Sequence, residues 1–200
     1  MITLFRPEKI YQLKDVKSIM REHICSLPDK ISTIGAHPKI LRFELACESV
    51  DVLTWLHNQR IETKIYWSDR DQFFEIGGVG IADRIMGKNC IDHKNLFSYF
   101  EDRLSEDNSY LRYYGGITFD DSNLGGEWET FGTHQFIVPQ FELLRLEEKN
   151  IFAFNIAIDD IQTKKIDSVL ATLEQFNFSC SLYACCGFGW RHQKYSPYNK

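Results

Sequence analysis

Between Arg112 and Pro139 the chain is too apolar for a linker and too interrupted by glycine for a helix. Arg112-Tyr113-Tyr114-Gly115-Gly116-Ile117-Thr118-Phe119-Asp120 leads through a loop, Asp121 to Gly126, into a second aromatic run carrying Trp128, Phe131, Phe136 and Pro139. Adjacent glycines weaken a helix, and aromatic residues favour a pleated, half-buried surface. The stretch therefore predicts two strands crossing the centre of a sheet. The 15 Phe, 9 Tyr and 4 Trp among 200 residues favour a sheet-rich interior over a helical bundle. That length suffices for one full-sized domain with its own core.

The remaining segments read as hairpins punctuated by helices. Apolar residues at Ile10, Leu13, Val16, Ile19, Met20 and Ile24 predict a helix from Pro7 to about Leu27, stopped by Pro28. Ile40 to Cys47 alternates Leu41, Phe43, Leu45 and Cys47 against Arg42 and Glu44, the pattern of a strand with one face in solvent. Ser49 or Asp51 can cap a short helix bearing Val52, Leu53, Trp55 and Leu56. Ile61–Trp67 and Phe73–Ala82 form a hairpin across Ser68-Asp69-Arg70-Asp71, with Gly77, Gly78 and Gly80 marking a bulge or a close backbone approach. Lys94–Leu104 is helical, with Leu96, Phe97, Phe100 and Leu104 on one face. Gln135–Arg145 and Ile151–Ile158 are strands joined by a polar turn, and Thr163–Phe176 is a last helix. The fold class expected is α+β: one broad, largely antiparallel β-sheet built from hairpins with helices packed on one face. Strand and helix alternate too irregularly for a doubly wound parallel sheet, and nothing marks a boundary, so residues 1–200 read as a single domain.

Several function classes are excluded by composition, and the candidate sites have simpler readings. A net charge of −5 without a lysine or arginine run lacks the footprint of a nucleic-acid binder. No apolar run approaches membrane-spanning length. Six cysteines without framework spacing, and no signal peptide at Met1–Arg6, imply reduced thiols in a cytoplasm. Gly78-Val79-Gly80 and Gly187-Phe188-Gly189 lack the third glycine of a dinucleotide loop, and Gly87-Lys88-Asn89 lacks the rest of a phosphate loop. Cys180, Cys185, Cys186 and His192, like Cys90, Asp92 and His93, lack zinc-ligand spacing. No Gly-x-Ser-x-Gly accompanies His57 or His134, although His134 beside the central strands could line a cleft. Asp120, Asp121, Glu127 and Glu129 could bind Mg²⁺ or exchange protons, but loop acids are ordinarily solvated.

The order of segments carries more than any one motif. Trp55-Leu56 with Gln59, Tyr66-Trp67-Ser68-Asp69-Arg70-Asp71, Gly78-Val79-Gly80, the stretch Arg112 to Asp120, Trp128, Phe131 and Phe136-Ile137-Val138-Pro139-Gln140-Phe141-Glu142 follow one another. Together, from about Arg42 to Pro197, they resemble the amino-terminal half of menaquinone-type isochorismate synthases. These are chorismate-binding enzymes, related to anthranilate, aminodeoxychorismate and salicylate synthases. The resemblance implies an isomerase that moves a hydroxyl on chorismate with Mg²⁺ and water, in menaquinone or siderophore biosynthesis. The family's general base, general acid and metal-binding glutamates lie in its carboxy-terminal half, and no matching motif precedes Lys200, which is not read as a stand-in for the base. The expectation is a chain without the catalytic half. No catalytic, cofactor-binding or metal residue is assigned, no Mg²⁺ site is expected in this chain, and it is expected to be inactive alone. It would dock on the absent half through an apolar face and self-associate when that face is bare. Ala46-Cys47-Glu48-Ser49 keeps only the Glu-Ser of the family's amino-acid-sensing motif, which favours the isochorismate branch. The alternatives are a stand-alone regulatory module holding a small aromatic acid or a partner protein in a cleft around Tyr113, Tyr114 and Trp128, or the corresponding part of a salicylate or anthranilate synthase.

Overall fold

The computed structural model describes residues 6–28, 40–71, 73–89, 92–104, 110–119, 126–147, 149–157 and 166–177, with backbone alone for 6–8, 127 and 128. Its elements are β1 (Arg6–Tyr11), α1 (Leu13–Cys25), β2 (Ile40–Cys47), α2 (Val52–His57), β3 (Lys64–Ser68), β4 (Phe74–Val79) and β5 (Asp83–Gly87). These are followed by α3 (His93–Arg103), β6 (Tyr114–Ile117), a 3₁₀ turn (Gly126–Glu129), β7 (His134–Val138), β8 (Phe141–Leu146), β9 (Lys149–Ala157) and α4 (Ile166–Gln175).

The α+β class holds, but the single sheet expected from the sequence is two. Six strands run in the order β1-β2-β9-β8-β4-β3, and three more in the order β5-β7-β6. All pairings are antiparallel except β1 with β2. The predicted strand Gln135–Arg145 breaks at Pro139-Gln140, where β7 leaves the small sheet and β8 joins the large one. Proline has no N–H to give to a ladder, so the chain changes sheet there. The stretch from Arg112 to Pro139 accordingly supplies β6 and β7 of the small sheet, and the centre of the large one is β9 and β8.

The amino-terminal helix begins later than its periodicity suggests. Arg6–Tyr11 pairs with β2 (Tyr11 opposite Cys47), and Ile10 is 72% exposed. Helical spacing holds from Leu13 onward, where Leu13, Val16, Met20 and Ile24 are buried. Gln12 at its N-terminus makes no side-chain cap; instead Glu48 accepts the Leu13 N–H at 2.8 Å. Glu48 thus satisfies an orphan donor and places negative charge at the positive end of the helix. In α2, Asp51 accepts the Thr54 N–H at 2.7 Å. Asp51→Ala is expected to lower stability by about 1 kcal/mol, read from the urea midpoint; Ser49→Ala should leave that midpoint unchanged.

The main core lies between one face of the large sheet and α1, α2 and α4. Phe43, Phe141, Phe152 and Phe154 pack there with Trp55, Leu173 and Phe176. Trp55 meets Phe152 edge-on at 5.9 Å and stacks on Phe176 at 6.0 Å. Gly77 and Gly78 mark close approach rather than a bulge, since the β3–β4 and β4–β8 registers run unbroken through them. A Cβ on Gly77 would lie 2.9 Å from Val52 Cγ1, and one on Gly78 would lie 2.6 Å from Pro139 Cγ. Small residues here let α2 settle onto one face of the sheet and Pro139 onto the other. The fourth helix, α3, sits on the small sheet, where Phe100 meets Phe136 edge-on at 5.2 Å.

Candidate functional site: a cleft between the two sheets

The far face of the large sheet is not solvent. Arg42 and Glu44, expected on an exposed face, are 1% and 4% exposed. Arg42 contacts Glu44 through Nε (2.5 Å), and its Nη1 donates to Glu142 Oε2 and Asn155 Oδ1, both at 2.9 Å. Asn155 completes the network by donating to the Pro139 carbonyl and to Glu142 Oε1, each at 2.8 Å. Strand register brings these groups together: Arg42 lies opposite Asn155, and Glu142 opposite Ala153, on one face of adjacent strands. Burial alone would lower the Arg42 pKa, but Glu142 and Glu44 outweigh it and raise it, so the guanidinium stays charged. Burial pushes the Glu142 carboxyl above its ordinary value, against the pull of Arg42 and Asn155. Arg42 Nη2 is buried with no partner among the described residues.

Beside this network the two sheets diverge into a cleft of about 800 Å³. One wall comes from the β3–β4 hairpin, with Ile65, Tyr66, Trp67 and Phe74; the other comes from Tyr114, Gln135 and Ile137, with Phe131 and Arg112 also lining it. Trp67 packs edge-on against Phe74 at 5.4 Å, and the Arg112 guanidinium lies over the Phe74 ring at 4.3 Å. The segment entering β6 is anchored by Asp83, which accepts from the Tyr113 hydroxyl and, at 3.2 Å, from the Tyr99 hydroxyl, and lies 3.5 Å from Arg103. Burial raises the Tyr113 pKa, reinforced by the bond to Asp83 and its charge. Burial likewise raises that of Tyr114, with Glu142 adding to the shift. Both hydroxyls therefore stay protonated near neutrality. The Tyr114 oxygen is buried without a hydrogen-bond partner among the described residues. The cleft offers aromatic walls lined also by two cations, Arg112 and Lys64, and one acid, Asp69; no serine or cysteine is among its lining residues.

Of the residues singled out in the sequence, Tyr113 and Tyr114 do line the cleft, whereas the Trp128 side chain lies outside the described residues. His134 is not among its lining residues: Gln135 and Ile137 face the cleft and the alternation turns His134 away, with Nδ1 3.1 Å from Thr133 Oγ1. His57 and Glu129 are exposed. Asp120, Asp121, Cys90, Cys180, Cys185, Cys186, Gly187, Gly189 and His192, with the Glu127 side chain, lie outside the described residues. Among those described, no three His, Cys, Asp or Glu side chains gather as a metal site, and no helix is long and apolar enough to cross a membrane. Sequence reasoning misses the Arg42 network. Its signal is nonetheless present as polar Arg42, Glu44, Glu142 and Asn155 set within otherwise apolar strands, which on a solvent face would need no partners.

The family model described as "Chorismate binding enzyme" matches residues 28–183. The chloroplastic isochorismate synthase of Catharanthus roseus is 30% identical over 130 residues, covering 62% of this chain and 22% of that protein. Chloroplastic isochorismate synthase 2 of Arabidopsis thaliana is 30% identical over 73 residues, covering 36% of this chain and 13% of its own length. Among solved structures, the menaquinone-specific isochorismate synthase MenF of Escherichia coli superposes with a TM-score of 0.50 at 16% identity, covering 76% of this chain and 34% of that one. At that identity the likeness is one of fold. The chain thus spans about a fifth or less of the curated relatives it matches and about a third of the solved one.

Proposed function

The chain belongs to the chorismate-binding enzyme family, and on that premise we propose that it is the amino-terminal portion of an isochorismate synthase, inactive on its own. The observation that carries this is the family match over most of the chain, together with curated relatives that are isochorismate synthases of far greater length. In the whole enzyme, chorismate would be converted to isochorismate with Mg²⁺ and water by a carboxy-terminal half packed against this one. The described residues do not suit Mg²⁺, since they gather no carboxylate cluster. This portion would contribute packing: the Arg42 network ties β2, β8 and β9 of the large sheet together, and the cleft walls would present an aromatic flank to the catalytic half. Incubated with chorismate and Mg²⁺, the 200-residue chain is expected to yield no isochorismate above the uncatalysed background. Turnover at an enzymatic rate would overturn the proposal.

A second reading, a module that holds a small aromatic acid, is favoured by the cleft itself, with its aromatic walls and Arg112 among the lining residues. Titrating chorismate should then change tryptophan emission through Trp67, and Trp67→Phe should abolish the change. A flat response in the unsubstituted chain rejects this reading.

A further inference from the structure

Among the described residues, β3 is the outermost strand on one side of the six-stranded sheet. Its inner edge is spent on β4: the Thr63 carbonyl accepts from Gly80 N–H at 3.1 Å, and Asp69 N–H donates to the Phe74 carbonyl at 3.0 Å. In an antiparallel ladder the N–H and C=O of one residue point to the same side and alternate along the strand. Thr63, Ile65, Trp67 and Asp69 therefore use theirs on β4, and Lys64, Tyr66 and Ser68 turn theirs outward.

We propose that a second copy of this chain pairs with that edge: two β3 strands meet antiparallel on a two-fold axis at Tyr66, joining the two large sheets into one. The register follows from the residues. With Tyr66 opposite the partner's Tyr66, Lys64 faces Ser68, Ile65 faces Trp67 and Thr63 faces Asp69; just beyond the strand ends, the bend at Glu62 comes towards the partner's turn at Arg70. All three outward-facing residues find partners, apolar meets apolar, and the outermost charges are opposite in sign. Centring on Lys64 would set lysine against lysine, and centring on Ser68 would set Asp69 against Trp67 and Asp71 against Ile65. Tyr66 and Trp67 are 42% and 47% exposed, so the pairing also covers apolar surface at an open edge. Because Ile65 and Trp67 line the cleft, the partner's strand would extend that wall, giving one composite surface from two copies. Such pairing uses the strand edge alone and is independent of the reaction proposed above.

Sedimentation equilibrium of the 200-residue chain is expected to show a concentration-dependent dimer. Glu62→Arg or Arg70→Glu alone sets like charges opposite one another twice per dimer and should weaken it about tenfold or more. The double exchange E62R/R70E should restore it. Under mild oxidation Tyr66→Cys should cross-link between copies, because directly opposed residues in a hydrogen-bonded pair lie about 5.5 Å apart at Cα. Leu53→Cys, on the outward side of α2, should link no faster than the unsubstituted chain. A monomer at all concentrations overturns the proposal. So does an oligomer in which the double exchange rescues nothing and Tyr66→Cys links no faster than Leu53→Cys. In those cases the isochorismate synthase reading stands untouched.

Discussion

Arg42→Met is expected to destabilise the chain by about 3–5 kcal/mol at neutral pH, since removing one member of a buried ion pair strands the others. Arg42 is the cation between Glu44 and Glu142, and both carboxylates are almost wholly removed from solvent. Without it, Glu142 loses the attraction that opposes its burial, and its folded-state pKa rises further. A carboxyl whose pKa is raised on folding contributes stability below its unfolded value, about 4.3, and loses it as pH climbs through the raised value. The deficit of the variant should therefore be smallest near pH 4 and grow towards neutrality. Urea midpoints at pH 4.5 and 7 test the sign. Adding Glu44→Gln and Glu142→Gln should recover part of the loss at pH 7, and an equal deficit at both pH values would argue against trapped carboxylates.

Gly115→Ala should cost about 3 kcal/mol and loosen one side of the small sheet. Gly115 sits opposite Phe136, where a Cβ would collide with the Gln135 carbonyl oxygen and lie 2.7 Å from Phe136 Cα. Both are backbone atoms of the central strand, so relief requires β6 to move away from β7. Gly116→Ala is the matched control. Its nearest neighbour would be Phe131 Cζ at 3.9 Å, and removing glycine flexibility should leave stability within about 1 kcal/mol of the original. Amide exchange along β7 provides the second readout: protection should drop for Gly115→Ala and persist for Gly116→Ala. Equal effects of the two substitutions would show that the backbone contact does not limit the site.

Local pattern foretells many elements closely. Ile40–Cys47 is a strand at the expected bounds, Asp51 caps the short helix after it, and the turn at 68–71 joins β3 to β4. These depend on side-chain alternation, caps and turn chemistry, which act over a few residues. The pattern misleads where a distant partner decides. Arg6–Tyr11 continues a helical spacing, yet β2 offers it a parallel ladder. β5 has no counterpart among the strands expected from the sequence, because Asp83–Gly87 is half exposed and carries little apolar alternation. The aromatic residues between Arg112 and Pro139 suggest a core, but among the described residues the fully buried rings are those of Phe43, Trp55, Phe141, Phe152 and Phe154.

The residues alone determined a sheet-rich α+β chain with the segment order of a chorismate-binding enzyme, because periodicity, turn residues and motif order are written locally along the chain. Tertiary structure decided that there are two sheets and that Arg42, Glu44, Glu142 and Asn155 meet, buried, on one face of the larger. It also decided that the stretch around Gly115 and Gly116 walls a cleft instead of crossing the principal core. The physical reason is that burial belongs to pairs of surfaces: alternation assigns side chains to two faces of a strand, but only the packing partner settles whether the second face meets water or another sheet.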